Sequence, residues 1–159
     1  MKTCLLTLVL FSCCASLRNE ANRVAVPESW QAEVLRLVNQ ARMKGCSCGG
    51  KRMSPAPVLR FSEDLTRIAK GHADYLRKRG YITHRGRGGT RVGARASRAG
   101  YRWRAIGENI ASGYNTPRAV VDSWLESPGH CRNIMDPNYT EMGVARLGNI
   151  YVQVLAKPM

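Results

Sequence analysis

The chain has 159 residues, 44% of them hydrophobic, with 25 Lys and Arg against 11 Asp and Glu for a formal net charge of +14. That length carries one sizeable core and leaves no room for two ordinary domains. The charge favours contact with anionic polymers or surfaces, but no nucleic-acid motif accompanies it, so a nucleic-acid function is set aside.

Residues 1–16 read as an export signal: Met1 and Lys2, an apolar run from Cys4 to Phe11, then small residues from Ser12 to Ser16. The run is too short to span a bilayer. The mature protein is therefore expected outside the cytoplasm, extracellular or periplasmic. Leu10-Phe11-Ser12-Cys13 resembles the bacterial lipoprotein signal, although Phe11 stands where a smaller residue is usual. A membrane tether through lipidated Cys13 and plain cleavage near Ala15 or Ser16 are both open. Residues 17–28 form a polar lead-in, and 29–159 form the domain.

Ser29 is expected to cap a helix running to about Met43, with Trp30, Val34, Leu37, Val38 and Ala41 as its apolar stripe. Gly45 ends it, and a loop rich in Gly, Cys and Pro follows to Arg60. Ser62, with Glu63 and Asp64 behind it, opens a second helix whose acids suit the positive end of the dipole. Its apolar face includes His72, read as a half-buried core residue hydrogen-bonded to a neighbour. Arg77, Lys78 and Arg79 suit its C-terminus, and Gly80 terminates it.

Tyr81 to His84 leave as a short extended piece, and Arg85 to Gly89 make a flexible loop. His84 thus sits in a connection, where functional side chains concentrate. Thr90 is expected to cap a short helix to Ala99, along which Arg91, Arg95, Arg98 and Arg102 form one basic stripe. Seven arginines and no acid lie between Arg85 and Arg104. They form either a solvated face or a docking surface for phosphate, lipid head groups or acidic cell-wall polymers.

Ala105 to Ser112 reads as a strand carrying Glu108 and Asn109. Thr116 and Pro117 start a helix that turns Val120, Val121, Trp124 and Leu125 inward. Ser127-Pro128 breaks it, and a short helical turn carries His130 to Met135. Strands Glu141 to Leu147 and Ile150 to Ala156 are joined by a Gly148-Asn149 hairpin. This order predicts an α+β fold, a small antiparallel sheet flanked by helices.

Of six cysteines, Cys4, Cys13 and Cys14 lie in the export signal, leaving Cys46, Cys48 and Cys131. Cys46 and Cys48 are too close for an unstrained mutual bridge. One of them is expected to pair with Cys131, closing a loop worth roughly 4 kcal/mol by the chain-entropy argument. A zinc site from Cys46, Cys48, His130 and Cys131 is the alternative, although Cys-x-Cys lacks the usual two-residue gap.

The residue types that do chemistry concentrate between Gly107 and Asp136, and they recur in a familiar order. Leu59-Arg60-Phe61, Tyr81-Ile82-Thr83-His84, Gly107-Glu108-Asn109-Ile110, Thr116-Pro117, Ser127-Pro128-Gly129-His130-Cys131 and Glu141-Met142-Gly143-Val144 together resemble a bacterial member of the CAP superfamily, or SCP domain. The resemblance covers about residues 29 to 157. It implies an α-β-α sandwich, secretion, and a central cleft lined by two histidines and two acids. His84 matches the first family histidine and Glu108 the Gly-Glu-Asn acid. Ser127 stands where eukaryotic members carry the second acid, and Ile150 where they carry the second histidine. His130 is expected to reach the same cleft from a neighbouring helix. The resemblance also implies a Cys48–Cys131 disulfide with Cys46 spare.

The expected cleft set is thus His84, Glu108, Asn109, Ser127 and His130. Two functions follow. In one, a monomeric binding module takes a small lipid, peptide or glycan ligand, or an anionic envelope surface. In the other, a hydrolase holds zinc or another divalent metal on His84, Glu108 and His130, with Glu108 as base. The two missing family positions weigh toward binding. A purely structural role, Glu108 and His130 cross-linking strand and helix, is the third reading.

Overall fold

The computed structural model describes residues 27–159, so the export signal and nearly all of the lead-in lie outside the described residues. Three of the expected helix starts are set by local chemistry. Helix α2 (Glu63–Arg79) begins where Ser62 Oγ accepts the Leu65 amide at 3.3 Å, and ends at Gly80. Helix α4 (Pro117–Glu126) begins where Thr116 Oγ1 accepts the Ala119 amide at 3.2 Å. Helix α5 (Pro128–Met135) follows at once, with Ser127 as the shared turn. Helix α1 (Ser29–Lys44) is capped one residue earlier than expected: Glu28 and Gln31 form a reciprocal capping box.

The loop expected from Gly45 to Arg60 contains structure of its own. Strands β1 (Cys46–Cys48) and β2 (Lys51–Met53) form a hairpin. Gly49 and Gly50 turn it at φ of 60° and 84°, values only glycine adopts freely. Strand β3 (Arg60–Phe61) was also unexpected, being too short to show a period. It runs parallel to β5 (Glu141–Leu147), so the main sheet is not wholly antiparallel. Strands β4 (Trp103–Ser112) and β6 (Ile150–Pro158) complete it in the order β3-β5-β6-β4, with β6 antiparallel to both neighbours. A 3-10 turn (Arg87–Gly89) precedes the short helix α3 (Val92–Arg98).

Alternation along the strands gives each sheet face its own core. On one face Met142, Val144, Tyr151 and Leu155 pack with Val34, Leu37, Trp124 and Ile134 of α1, α4 and α5. On the other, Ala145, Val152, Val154 and Ala156 pack with Leu65, Ile68, Ala73 and Leu76 of α2 and Ala96 of α3. The result is the α-β-α sandwich. Gly143 lets α2 lie directly on β5, since a Cβ there would come 2.2 Å from the Thr66 amide nitrogen. Among the described residues no helix is long and apolar enough to cross a membrane.

Candidate functional site

On β4 the two-residue period points Glu108 toward α2 and α3 and Asn109 toward α5. Glu108 is 6% exposed. A carboxylate so far from water needs partners, and several elements supply them. His84 Nδ1, from the segment after α2, lies 2.9 Å from Oε1. The Arg95 guanidinium of α3 pairs with Oε2. His72 Nε2 of α2 is 3.9 Å from Oε1. Arg95 also donates to the carbonyls of Thr90 at 2.8 Å and His84 at 3.3 Å, pinning the loop that carries His84.

His72 is buried, with Nε2 2.8 Å from the Thr83 carbonyl oxygen. A carbonyl only accepts, so Nε2 carries the proton and Nδ1 the lone pair. Nδ1 is buried with no hydrogen-bond partner among the described residues. Burial pushes the His72 pKa below the usual imidazole value; the negative charge of Glu108 opposes that shift without cancelling it. The His84 side chain is 49% exposed. A groove of about 570 Å³ opens over the pair, walled by Arg91, Val92, Trp103 and Ile106 and including His84 and Glu108.

Two of the expected cleft residues stand elsewhere. Asn109 is fully buried across the sheet from the Glu108 carboxylate, because neighbouring strand residues face opposite ways. Its Nδ2 donates to Gln153 Oε1 at 2.9 Å and the His130 carbonyl at 3.2 Å, and its Oδ1 accepts from Asn133 Nδ2 at 2.9 Å. That network fastens β4 to β6 and α5. Ser127 serves as the α4–α5 turn through its backbone, donating to the Ser123 carbonyl at 3.2 Å and accepting the Cys131 amide at 2.8 Å. It lines none of the described grooves that include Glu108 or His84.

His130 on α5 is half-buried. Burial lowers its pKa, and the charge of His84 lowers it further. The two imidazoles do not, however, converge on Glu108 as a metal triad. Among the described residues, the group whose ligand atoms all lie within 4.8 Å of one another is Cys46, Cys48 and Cys131. Two of these are joined, Cys48 to Cys131, with a Cα separation of 5.5 Å. The free thiol of Cys46 sits 3.6 Å from Cys131 Sγ, with its pKa raised by burial.

Sequence reasoning assigned Arg95 to the basic stripe and missed its inward aim. It also missed Arg42, fully buried on α1 with its guanidinium on four backbone carbonyls: Pro57, Ile134, Asp136 and Tyr139. A signal existed, since Arg42 continues the Val34–Val38 stripe at helical spacing.

The model of the cysteine-rich secretory protein family (CAP) matches residues 35–151. Among curated proteins, the chain is 29% identical over 127 residues to the uncharacterized protein YkwD of Bacillus subtilis (strain 168), a match covering 79% of this chain and 46% of that protein. The chain thus spans less than half the length of that relative. Among solved structures, it resembles an extracellular protein containing a SCP domain from Bacillus anthracis str. Ames, with a TM-score of 0.70 and 24% identity over 80% of this chain and 40% of that one. It also resembles an outer surface protein from Borrelia burgdorferi, with a TM-score of 0.68 and 24% identity over 79% and 90% of the two chains. At such identities the structural likeness speaks for the fold.

Proposed function

The chain belongs to the cysteine-rich secretory protein (CAP) family, and from that premise we propose an exported binding module whose ligand enters the groove above Glu108. One observation carries the proposal: a buried carboxylate that holds a half-exposed imidazole by its inner nitrogen at the floor of an open groove. With Nδ1 engaged by Glu108, His84 offers Nε2 to a ligand in a fixed orientation. Val92, Trp103 and Ile106 supply apolar wall, and Arg91 supplies a positive rim. Mostly apolar lining with a few placed polar groups is the usual make-up of a small-molecule site. It suits an amphiphile, or a peptide or glycan end, that carries a hydrogen-bonding or anionic group. Export is supported by the apolar N-terminal run and by the two solved relatives, which are by name an extracellular and an outer surface protein.

The metal-dependent hydrolase reading fits less well. Both Glu108 oxygens are already paired, and a cation there would meet the guanidinium of Arg95. His84, Glu108 and His130 do not gather as one ligand group.

The test uses 8-anilinonaphthalene-1-sulfonate, an apolar anion, as probe. Wild type is expected to bind it with micromolar affinity, and His84→Ala and Trp103→Ala to weaken binding about tenfold each, as loss of a placed contact predicts. Equal binding by all three, with unchanged melting curves, would refute the groove.

A further inference from the structure

Ten of the 25 basic residues lie between Arg77 and Arg104, a span without a single Asp or Glu. Nine of these ten are exposed, and none of the nine is in an ion pair with an acid among the described residues. The tenth, Arg95, is engaged with Glu108. The acids nearest this face are already answered: Asp64 pairs with Arg67, and Asp74 with Lys70 at 2.9 Å. Lys78, Arg87 and Arg98 line one groove of about 250 Å³ beside α2 and α3. So many uncompensated cations repel one another, and the face gains when a polyanionic partner covers it.

Inside this span stand two of the most exposed large apolar side chains, Tyr81 at 52% and Ile82 at 46%. They follow Arg77, Lys78 and Arg79 after a single glycine and precede Arg85 and Arg87. Arg79 donates to the Tyr81 hydroxyl at 2.7 Å and lies 5.3 Å from its ring centroid, so charge and aromatic ring form one unit. A soluble anionic polymer would pair with the cations and leave Ile82 in water. A bilayer interface takes both, phosphates against the cations and apolar side chains at head-group depth.

We propose that the face from the C-terminus of α2 through α3 is a peripheral docking surface for an anionic lipid bilayer, with Tyr81 and Ile82 as its shallow anchors. This surface borders the groove above Glu108 and shares Arg91 and the start of α3 with it. Lys78, Tyr81, Ile82, Arg87 and Arg98 lie outside that groove's lining, so the proposal does not depend on what the groove holds.

The test is co-sedimentation of the full chain with vesicles of phosphatidylcholine alone or mixed with phosphatidylglycerol. The apolar N-terminal run would attach to both kinds alike, so the difference between them isolates the basic face. Binding is expected to be much stronger to the anionic vesicles and to fall as salt is raised. A Lys78→Glu/Arg87→Glu/Arg98→Glu variant is expected to lose at least about 100-fold, given roughly fivefold per basic residue at an anionic surface. Ile82→Asn is expected to weaken vesicle binding about tenfold by removing buried apolar area, while leaving binding to soluble polyphosphate unchanged. Equal binding to both vesicle types, or a triple variant that binds anionic vesicles like wild type with an unchanged melting curve, overturns the proposal. So does an Ile82→Asn variant indifferent to vesicles together with tight polyphosphate binding, which would assign the face to a soluble polymer.

Discussion

Taking the Glu108 carboxylate out of water is tolerable only because Arg95, His84 and His72 surround it. Arg95→Ala leaves that charge buried beside no guanidinium. Chemical denaturation of this variant is expected to show a loss of about 3 kcal/mol, the usual result of removing one partner of a buried pair. A Glu108→Gln/Arg95→Met double variant should recover part of it, and additive losses would mean the pair is not coupled. His72 gives a second reading at the same scale. Its folded pKa is lowered, so in the acid range the unfolded chain binds a proton that the folded chain refuses. Its contribution is therefore fully present above the ordinary imidazole value of about 6.5 and is lost as pH falls below that value. His130 is shifted the same way. Melting temperatures are expected to drop as pH falls from about 7.5 toward about 5, with the slope reduced in His72→Gln. A slope identical to wild type would contradict the assignment.

Arg42 works between elements. Its guanidinium joins α1 to the Pro57 loop and to the C-terminal end of α5, where the last helix carbonyls have no intrahelical donors. Arg42→Met keeps the bulk but takes a donor from each of the four carbonyls, of which Asp136 still accepts the Tyr139 amide at 3.3 Å. Urea unfolding should show at least about 3 kcal/mol of destabilisation, and a loss near zero would mean water replaces the arginine. The Cys48–Cys131 bridge fastens the β1–β2 hairpin to α5 nearby. Legibility followed signal length. Caps at Ser62 and Thr116, the Pro117 start and the β5–β6 hairpin were plain, because each is written in a few adjacent residues. Strand β3 and the β1–β2 hairpin were not, since pairs of two or three residues carry no usable period. His84 and Glu108 were found through motif order. Asn109 follows Glu108 in sequence and Ser127 stands at the family's second-acid position, but strand alternation turns Asn109 to the opposite face and the α4–α5 turn holds Ser127 by its backbone.

At the scale of the whole molecule, the sheet divides the work. The face under α1, α4 and α5 holds the larger apolar core, the disulfide and the Asn109–Gln153 pair. The face under α2 and α3 holds the smaller core, the Glu108 cluster, the groove and the basic surface. Ligand contact is thus predicted on one side only. The three tryptophans report on this directly: Trp103 walls the groove, Trp124 is fully buried in the opposite core, and Trp30 packs edge-on to Tyr151 at 6.2 Å on that same side. The decisive measurement is the two-dimensional nitrogen–proton spectrum of the indole N–H groups during addition of 8-anilinonaphthalene-1-sulfonate. Site-specific binding in the groove predicts that the Trp103 signal moves saturably while those of Trp30 and Trp124 stay. Saturable movement of Trp30 or Trp124 with Trp103 fixed would contradict it.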